Sequence, residues 1–428
     1  MGLAGQGAAA VLAAAGIASI IPRQGMGSPM GKKSRRILVF TLKAAVAAAL
    51  LAWVLGGVHW RDYVQDKADG KTYAVLGNAP AANAAKELRI ALGRPWARRS
   101  LIRPAADFLP MPGSSRVVRP GFATGLRRID VLLALLGAAG FGASLLLVAV
   151  RWRILLRIQE IHVSLWEAVR LTFLGQFFNA VVPGTVGGDL VKAYYVAKHT
   201  PKKAAVLVSV FVDRLVGLVG LALMAAGMLV VTLAAGLVKD VAEVRLPLIS
   251  VAGILVMATG MLAFLFSNRF RRALRLERLY QRLPIAHHIA AAGDAARLYG
   301  ERLGRLSGAV LVTFAAHLCF VGFVALAGRS LSLPTAWHGY FVYVPLIYII
   351  GAVPLTPGGI GWVENWYVKF FQTPEVGASM ILVLALLARL IPILWGLPGA
   401  IVAVTGARPP RAESIAAELA PGPGVERS

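Results

Sequence analysis

Residues Gln176–Lys192 read QFFNAVVPGTVGGDLVK and interrupt a strongly apolar segment. The stretch holds one proline, three glycines, an asparagine, an aspartate and a lysine. A second stretch, residues 354–364, reads PLTPGGIGWVE and has the same character. Irregular backbone at membrane depth is tolerated only where protein buries it or where it lines a water-filled space, and charged groups there are usually functional. We interpret the rest of the chain as a scaffold that holds these two breaks against each other.

The composition is typical of a multi-pass membrane protein. Hydrophobic residues make up 57% of the 428 residues, charged residues make up 15%, and the mean hydropathy is +0.69. We attribute the formal net charge of +25 to topology signals and to attraction for anionic lipids. No nucleic-acid-binding motif is visible, so no nucleic-acid partner is expected. Cys319 is the single cysteine, which excludes an intrachain disulfide and a thiolate zinc site, and we expect neither a metal nor a cofactor.

Six apolar segments are long enough to cross a bilayer as helices. The predicted fold is therefore an all-α integral membrane protein with about six full transmembrane helices. Basic residues before the first span and after the last one place both termini in the cytoplasm, and we expect the protein in the bacterial inner membrane. The six predicted spans are residues 37–58, 131–150, 204–236, 248–266, 306–326 and 377–404.

The chain divides into five predicted regions. The N-terminal region is basic and expected to be disordered, and the first span follows it. The next region is polar and contains the strand-like sequence KTYAVLG, which indicates a small extracytoplasmic insert of mixed structure. A transmembrane domain and a disordered cytoplasmic tail complete the chain. The boundaries are residues 1–36, 37–58, 59–129, 130–404 and 405–428.

The two broken segments are predicted to be re-entrant hairpins. Basic residues flank residues 165–197 on both sides, so both ends of this segment are expected in the cytoplasm. Each arm is only about 20 Å long at 1.5 Å per residue, which is too short to cross twice. For the last span to run inward, residues 339–371 must begin and end outside. Residue 200 is therefore predicted to be cytoplasmic, and residues 333 and 374 to be outside.

Regular spacing relates the two broken segments. Asp189 precedes Arg214 by 25 residues, and Glu364 precedes Arg389 by 25 residues. The predicted span before each acid also starts 58 residues ahead of it. The two copies have opposite predicted topology, and inverted repeats with paired discontinuous helices indicate a transporter binding site where the repeats meet.

Four ionisable side chains at membrane depth make this region a candidate site. Each costs roughly 2.5–3.5 kcal/mol at the bilayer centre on insertion scales, so Asp189, Arg214, Glu364 and Arg389 should be paired or should share a ligand. Arginine suits phosphate because its planar fork binds two oxygens at once. The glycines of the breaks allow backbone N–H groups to approach an anion at the helix N-termini that follow.

Each feature also has a structural interpretation. The two arginines can simply pair with the two acids and lock the hairpins. Asn179 can cap a broken helix without touching a substrate. His317 lies in an apolar helix and is expected to be a packing residue whose ring is satisfied by hydrogen bonds.

The combined motifs resemble the flippase-like transmembrane domain family, best known as the membrane half of bacterial lysylphosphatidylglycerol synthases. The resemblance covers residues 131–404 and the first span, and it implies an inner-membrane protein that moves or handles lipids. Lys192 stands where members often have arginine, and no soluble synthase domain is expected. The residues that carry the family pattern are Asn179, Pro183, Gly187, Gly188, Asp189, Arg214, Pro357, Gly358, Gly359, Gly361 and Glu364.

We expect a lipid flippase or lipid-handling transporter that moves an anionic or polyprenyl-type lipid without ATP. The sequence contains no Walker loop, no nucleophile elbow and no zinc-protease motif, so we do not expect an enzyme. The alternative is a membrane accessory or enzyme in aminoacyl or glycosyl transfer to lipids. Expected partners are membrane lipids, together with an envelope protein or a transferase.

Overall fold

The structure is a computed structural model and is mostly helical. It describes residues 32–76, 86–92, 99–112, 116–181, 187–237, 241–266, 298–353 and 355–405. The helices are α1 (Lys32–Gly56), α2 (Phe122–Arg127), α3 (Val131–Ile158), α4 (Leu165–Val181), α5 (Gly187–Ala197), α6 (Lys203–Ala234), α7 (Val241–Phe266), α8 (Leu303–Ser330), α9 (Trp337–Gly351), α10 (Trp362–Phe371) and α11 (Ala378–Thr405). The strands are β1 (Tyr63–Gln65), β2 (Thr72–Val75), β3 (Glu87–Leu92) and β4 (Arg99–Pro104).

Four of the described helices, α3, α6, α8 and α11, are long and apolar enough to cross a membrane. We predicted six full spans, and the two others, α1 and α7, have shorter apolar stretches at Thr41–Gly56 and Arg245–Met257. Apolar sequence continues beyond both stretches, at Ile37–Phe40 in α1 and at Met261–Phe266 in α7.

Some predicted boundaries shift. Helix α1 begins at Lys32, so residues 32–36, which we assigned to the disordered N-terminal region, are helical. A run of basic residues does not prevent helix formation, since lysine and arginine are good helix formers. Helix α8 begins at Leu303 and not at residue 306. The remaining N-terminal residues 1–31 and the tail beyond Thr405 lie outside the described residues.

The insert contains an antiparallel sheet with strand order β1-β2-β3-β4, so the all-α prediction holds only for the helical bundle. The strand-like sequence KTYAVLG does contain β2. Alternate residues Leu88 and Ile90 of β3 point into a small core with Val64 and Phe108, and all four side chains are at most 1% exposed. The period of two along β3 is the signature of a half-buried strand.

The sheet packs against one end of the bundle, which we call the sheet end. The backbone N–H of His59 donates to Ser379 Oγ at the start of α11 (2.9 Å). Arg119 Nη1 donates to the carbonyl of Pro374 in the loop before α11 (3.1 Å). At the same end the N–H of Asp130 donates to the carbonyl of Ser330, which joins the start of α3 to the end of α8.

The opposite end, which we call the Glu160 end, is held by an ion-pair cluster. Glu160 follows α3 and pairs with Lys202 before α6 (3.1 Å) and with Arg302 before α8 (2.7 Å). The hydrogen bond from Arg302, followed by that from Lys202, lowers the pKa of the Glu160 carboxyl below its ordinary value. The carboxylate therefore stays ionised and links three segments at this end of the bundle.

The bundle consists of two matched runs of helices, α3–α6 and α8–α11. Helices α3 and α8 are antiparallel, since Gly137 lies against Phe323 and Gly140 lies against Cys319. The two runs also pack against each other through their other helices. Helix α4 of the first run packs on α11 of the second, and α9 of the second run packs on α6 of the first. The equivalent helices α6 and α11 start 175 residues apart, but α3 and α8 start only 172 apart. The offset grows by three residues between the start of α9 and the start of α10, because the second break is longer than the first.

Candidate functional site

The first broken segment forms a helical hairpin, hairpin 1, in which α4 and α5 pack against each other. Asn179 Oδ1 accepts the backbone N–H of Gly188 at 2.9 Å, which caps α5 from the opposite arm. A Cβ atom on Gly188 would lie 1.8 Å from the carbonyl oxygen of Gly175, so only glycine permits this approach. Asn179 therefore has the capping role that the sequence left open, and Gly187 begins α5 beside it.

Asp189 is the charged centre of hairpin 1. It is the third residue of α5, where a carboxylate also benefits from the helix N-terminus. Lys192 Nζ contacts Asp189 Oδ1 at 3.0 Å, and Arg214 Nε donates to Asp189 Oδ2. Lys192 also lies over the ring of Trp152, 4.8 Å from its centroid. One buried carboxylate thus has two cationic partners.

The second broken segment forms hairpin 2 from α9 and α10, joined by the 3₁₀ turn Pro357–Gly359. Arg389 of α11 donates from Nε to Glu364 Oε1 at 2.7 Å. Its two Nη groups donate to the carbonyls of Gly358 (3.0 Å) and Gly359 (3.3 Å). Arg389 therefore clamps the tip of the hairpin with all three of its nitrogens.

The glycines at the tip of hairpin 2 are required by backbone conformation. Gly358, Gly359 and Gly361 have φ angles of +61°, +69° and +76°, which lie in the left-handed region. The N–H of Gly361 donates to Glu364 Oε2 at 2.8 Å, and the N–H of Gly359 donates to the carbonyl of Thr356. The N–H groups of Gly359 and Gly361, which were expected to approach an anion, are therefore used within the hairpin itself.

The spacing of 25 residues has a direct structural meaning in both hairpins. Each acid is the third residue of the short helix after the break, and each arginine is the twelfth residue of the following long helix. Twelve residues into a helix is a depth of about 16 Å. Asp189–Arg214 and Glu364–Arg389 are therefore equivalent ion pairs. In the structure, each arginine pairs with the acid of its own hairpin, as the structural interpretation in the sequence analysis expected.

The two hairpins differ in the charge around the carboxylate and in whether another helix packs over the hairpin tip. The position equivalent to Lys192, the sixth residue of the short helix, is Tyr367 in hairpin 2. The formal charge around the carboxylate is therefore +1 in hairpin 1 and zero in hairpin 2. Helix α1 covers the tip of hairpin 2, where Gly361 lies against Ala47. The side chain of Arg214 is 39% exposed, compared with 27% for Arg389.

Thus the structure brings together most of the predicted site residues in two separate groups. Asn179, Gly187, Gly188, Asp189, Lys192 and Arg214 meet in hairpin 1, and Pro357, Gly358, Gly359, Gly361, Glu364 and Arg389 meet in hairpin 2. Pro183 lies outside the described residues.

Sequence reasoning missed one buried ion pair. Arg151 Nε donates to Asp213 Oδ1 at 2.7 Å, and both side chains are less than 10% exposed. In the sequence, Arg151 is one of the basic residues that precede residues 165–197 and mark the cytoplasmic side. The signal that could have identified it was Asp213 itself, an acid inside an apolar helix that required a partner.

We predict that Gly188→Ala disrupts hairpin 1, since the added Cβ would overlap the carbonyl of Gly175. Overpacking of this kind costs about 1–3 kcal/mol. The matched control is Gly227→Ala in α6, where a Cβ would have no neighbour within 4 Å. Thermal unfolding in detergent should show a lower midpoint for Gly188→Ala only; equal midpoints for the two variants would show that the arms of hairpin 1 do not approach as described.

These features define a multi-pass membrane protein with buried, paired charges in broken helices. Residues 121–399 match the family described as the lysylphosphatidylglycerol synthase TM region, and the chain belongs to this family. A UPF0104 membrane protein of Pyrococcus horikoshii is 24% identical over 298 residues, which are 62% of this chain and 84% of that protein. No solved structure matches the chain. The four strands of the insert precede the matched region.

Proposed function

We propose that the protein is an inner-membrane transporter that moves a lipid with an anionic head group between leaflets without ATP. The observation that carries this proposal is the formal charge of +1 that the described side chains of Asp189, Lys192 and Arg214 carry together. Lys192 and Arg214 share the single carboxylate of Asp189, and Lys192 is 4% exposed. A buried excess charge is costly, so a site of this kind favours a ligand of opposite sign.

A phosphate group is the anion best suited to this site. Arginine forms bidentate, charge-assisted hydrogen bonds to phosphate, and lysine adds a second point of positive charge. The partial exposure of Arg214 leaves room for a head group to approach it. Anionic phospholipids and polyprenyl phosphates share this chemistry, so both belong to the proposed substrate class.

The proposed membrane arrangement gives the lipid a path. Helices α3, α6, α8 and α11 would span the bilayer together with α1 and α7, and the two hairpins would enter from opposite faces without crossing. A head group could then meet hairpin 1 from the cytoplasmic side and leave past hairpin 2, while the acyl chains stay in the bilayer. Inverted repeats with broken helices at mid-membrane are typical of transporters that alternate between two open states.

Reconstitution into liposomes tests the function. Labelled phosphatidylglycerol, a labelled polyprenyl phosphate and labelled phosphatidylcholine would be followed from the inner to the outer leaflet. We expect faster movement of the two anionic lipids than in protein-free vesicles, and little change for the neutral one. Movement indistinguishable from that in empty vesicles for all three lipids would reject the proposal.

A second candidate is an accessory or enzyme in aminoacyl or glycosyl transfer to lipids, which the family name favours because it refers to a synthase. In that case the hairpins would hold a lipid acceptor and a partner would supply the activated group. Purified protein mixed with a candidate transferase, its donor and a lipid acceptor would form a modified lipid, whereas lipid movement without the partner would stay at the background rate.

We predict the orientation of the bundle by cysteine labelling. In a Cys319→Ala background, single cysteines would replace the exposed Lys198, near the Glu160 end, and the exposed Glu375, near the sheet end. A membrane-impermeant reagent applied to intact cells should label the cysteine at 375 and spare the one at 198. Labelling of the cysteine at 198 together with protection of the one at 375 would show that the orientation is the opposite of the predicted one, with the insert in the cytoplasm.

A further inference from the structure

The start of α3 shows where the membrane surface meets the sheet end. Val131, Leu132 and Leu135 are each more than 60% exposed, so this side of an apolar helix faces lipid when the helix spans a bilayer. Arg127 and Arg128 come immediately before it and are exposed. Arginines at the end of a spanning helix extend their guanidinium groups into the layer of lipid head groups. The head groups on this side therefore lie level with α2.

Helix α2 and the residues before the sheet have the composition of a segment at the membrane interface. Trp60 packs edge-on against Phe122 of α2, with ring centroids 5.1 Å apart, and Leu126 follows one turn later. Trp60 and Leu126 are both exposed, and so is Arg61 beside Trp60. Tryptophan and arginine next to exposed apolar side chains are typical of the boundary between lipid and water.

One face of the sheet is turned towards the bundle and its membrane surface. Tyr63 of β1 is buried, and a Cβ atom on Gly377, just before α11, would overlap its hydroxyl group. Residues that are paired on neighbouring strands point to the same side of a sheet, so the register continues this face across all four strands. We call it the Tyr63 face, and the row that starts at Tyr63 continues through Ala74, Ala91 and Ser100.

The outer part of the Tyr63 face extends past the helices. Arg89 of β3 is paired with Ile102 of β4, and each lies two positions along its strand from a member of the row, so both belong to this face. Arg89 is exposed, and Ile102 is 58% exposed. At about 4.8 Å per strand, β4 lies roughly 14 Å from β1, the strand that packs on the bundle. The Tyr63 face therefore overhangs the bilayer beside the bundle at β3 and β4.

The charges of the insert complement an anionic surface. Residues 59–129 contain 13 basic and 5 acidic residues. Asp66 and Asp107 both pair with Arg103, and Asp69 pairs with Lys71, so most of the acids are already neutralised within the insert. Among the residues that the structure describes, four exposed arginines of the interface and the overhang have no ion pair: Arg61, Arg89, Arg127 and Arg128.

A lipid surface fits this arrangement better than a protein partner does. The core of a protein interface is a contiguous apolar area from which charged residues are depleted. In the insert, by contrast, an arginine is the sequence or strand neighbour of each exposed apolar side chain. The pairs are Trp60 with Arg61, Ile102 with Arg89, and Leu126 with Arg127.

We propose that the insert is a docking surface for the anionic phospholipid head groups of the leaflet at the sheet end. Arg61, Arg127 and Arg128 bind head groups around α2, and Arg89 binds them below the overhanging part of the sheet, where Ile102 enters the interfacial layer. Docking collects anionic lipid beside the loop that leads into α11, to which Arg119 of the insert is bonded. The inference goes beyond the proposed transport and does not require it.

Quenching by a lipid with a nitroxide in its head group tests where the sheet lies. In full-length Cys319→Ala protein in nanodiscs, a fluorophore is attached to a single cysteine at Ile102. The matched control is a cysteine at Leu101, the next residue of β4, which is exposed on the opposite face. With phosphatidylglycerol in the disc, the label at 102 should be quenched several times more strongly than the label at 101. The difference should disappear in phosphatidylcholine alone and in about 1 M salt, which screens the attraction.

Three results would overturn the inference. Equal quenching at 101 and 102 would show that the Tyr63 face is not the one directed at the lipid. Quenching at 102 that is as strong in phosphatidylcholine alone would show that the surface does not select anionic head groups. Absence of quenching at 102 in every lipid would remove the membrane as the occupant and leave an acidic protein for this face.

Single charge changes test the role of the overhang. Arg89→Gln should lower the ratio of docked to undocked insert about fivefold, since it removes one charge that faces the head groups. The control Lys71→Gln removes one positive charge from the exposed turn between β1 and β2 and should leave the ratio unchanged. Both side chains are exposed, so both variants should fold. Equal effects of the two changes would show that net charge alone matters and would contradict a defined surface.

Discussion

Replacing Arg214 with lysine should lower transport of an anionic lipid nearly as far as replacing it with alanine. If Arg214 binds the head group, lysine keeps the charge but loses the planar fork. One charge-assisted hydrogen bond contributes about 1.5–3 kcal/mol, so both variants should lose roughly ten- to a hundredfold in rate. If Arg214 only pairs with Asp189, the charge alone should suffice and lysine should restore most of the rate.

The double variant Arg214→Ala with Asp189→Ala separates these two roles. Removing one partner of a buried pair can cost about 3–5 kcal/mol, so Arg214→Ala alone can fail by unfolding. The double variant removes both charges, and Lys192→Gln is combined with it because Asp189 is also the carboxylate partner of the buried Lys192. It should recover normal levels in the membrane while transport remains low. Recovery of transport with folding would assign Arg214 a structural role only.

Arg389→Ala should have the largest effect on stability. Arg389 binds Glu364 and two carbonyls at the tip of hairpin 2, so its removal leaves one buried carboxylate and two carbonyls without their donor. We expect a loss of about 3–5 kcal/mol. Thermal unfolding in detergent and the amount of protein in the membrane would measure it.

The control for this change is Arg329→Ala. Arg329 is exposed and lies over the ring of Trp337, so its removal should cost about 1 kcal/mol or less. Arg389 should therefore be required for folding before any role in transport can be measured. An Arg389→Ala protein as stable as the Arg329→Ala control would mean that Arg389 does not clamp the hairpin.

Much of this architecture could be predicted because it depends on local patterns. The proline and glycine runs identify both breaks, and the equal spacing of acid and arginine predicts the pairs Asp189–Arg214 and Glu364–Arg389. A charged residue in an apolar helix needs a partner, and the regular helix places that partner at a fixed depth. The four long apolar helices follow from composition and length alone.

Other features depend on long-range packing and could not be predicted. Nothing in the sequence near Gly359 or Gly361 indicates that their N–H groups bond within the hairpin. Arg151 has the sequence environment of a surface arginine, and only the packing of α3 against α6 shows that it is buried. The cover of hairpin 2 by α1 likewise depends on how distant helices meet.

The difference between the hairpins is the basis of the proposed selectivity. Both have one carboxylate and one arginine in equivalent positions, but Lys192 in hairpin 1 is replaced by Tyr367 in hairpin 2. Hairpin 2 is neutral at its centre and held by α1, which suits a structural element. Hairpin 1 has an excess positive charge and a more exposed arginine, which suits a ligand site.

The variant Lys192→Gln tests this central claim most directly, because it gives hairpin 1 the neutral charge of hairpin 2. In liposomes that contain labelled phosphatidylglycerol and phosphatidylcholine, the wild type should move the anionic lipid faster. At normal protein levels, Lys192→Gln should lose that preference, whereas the control Lys369→Gln, an exposed lysine on α10, should keep it. An unchanged preference for the anionic lipid in Lys192→Gln would contradict the account.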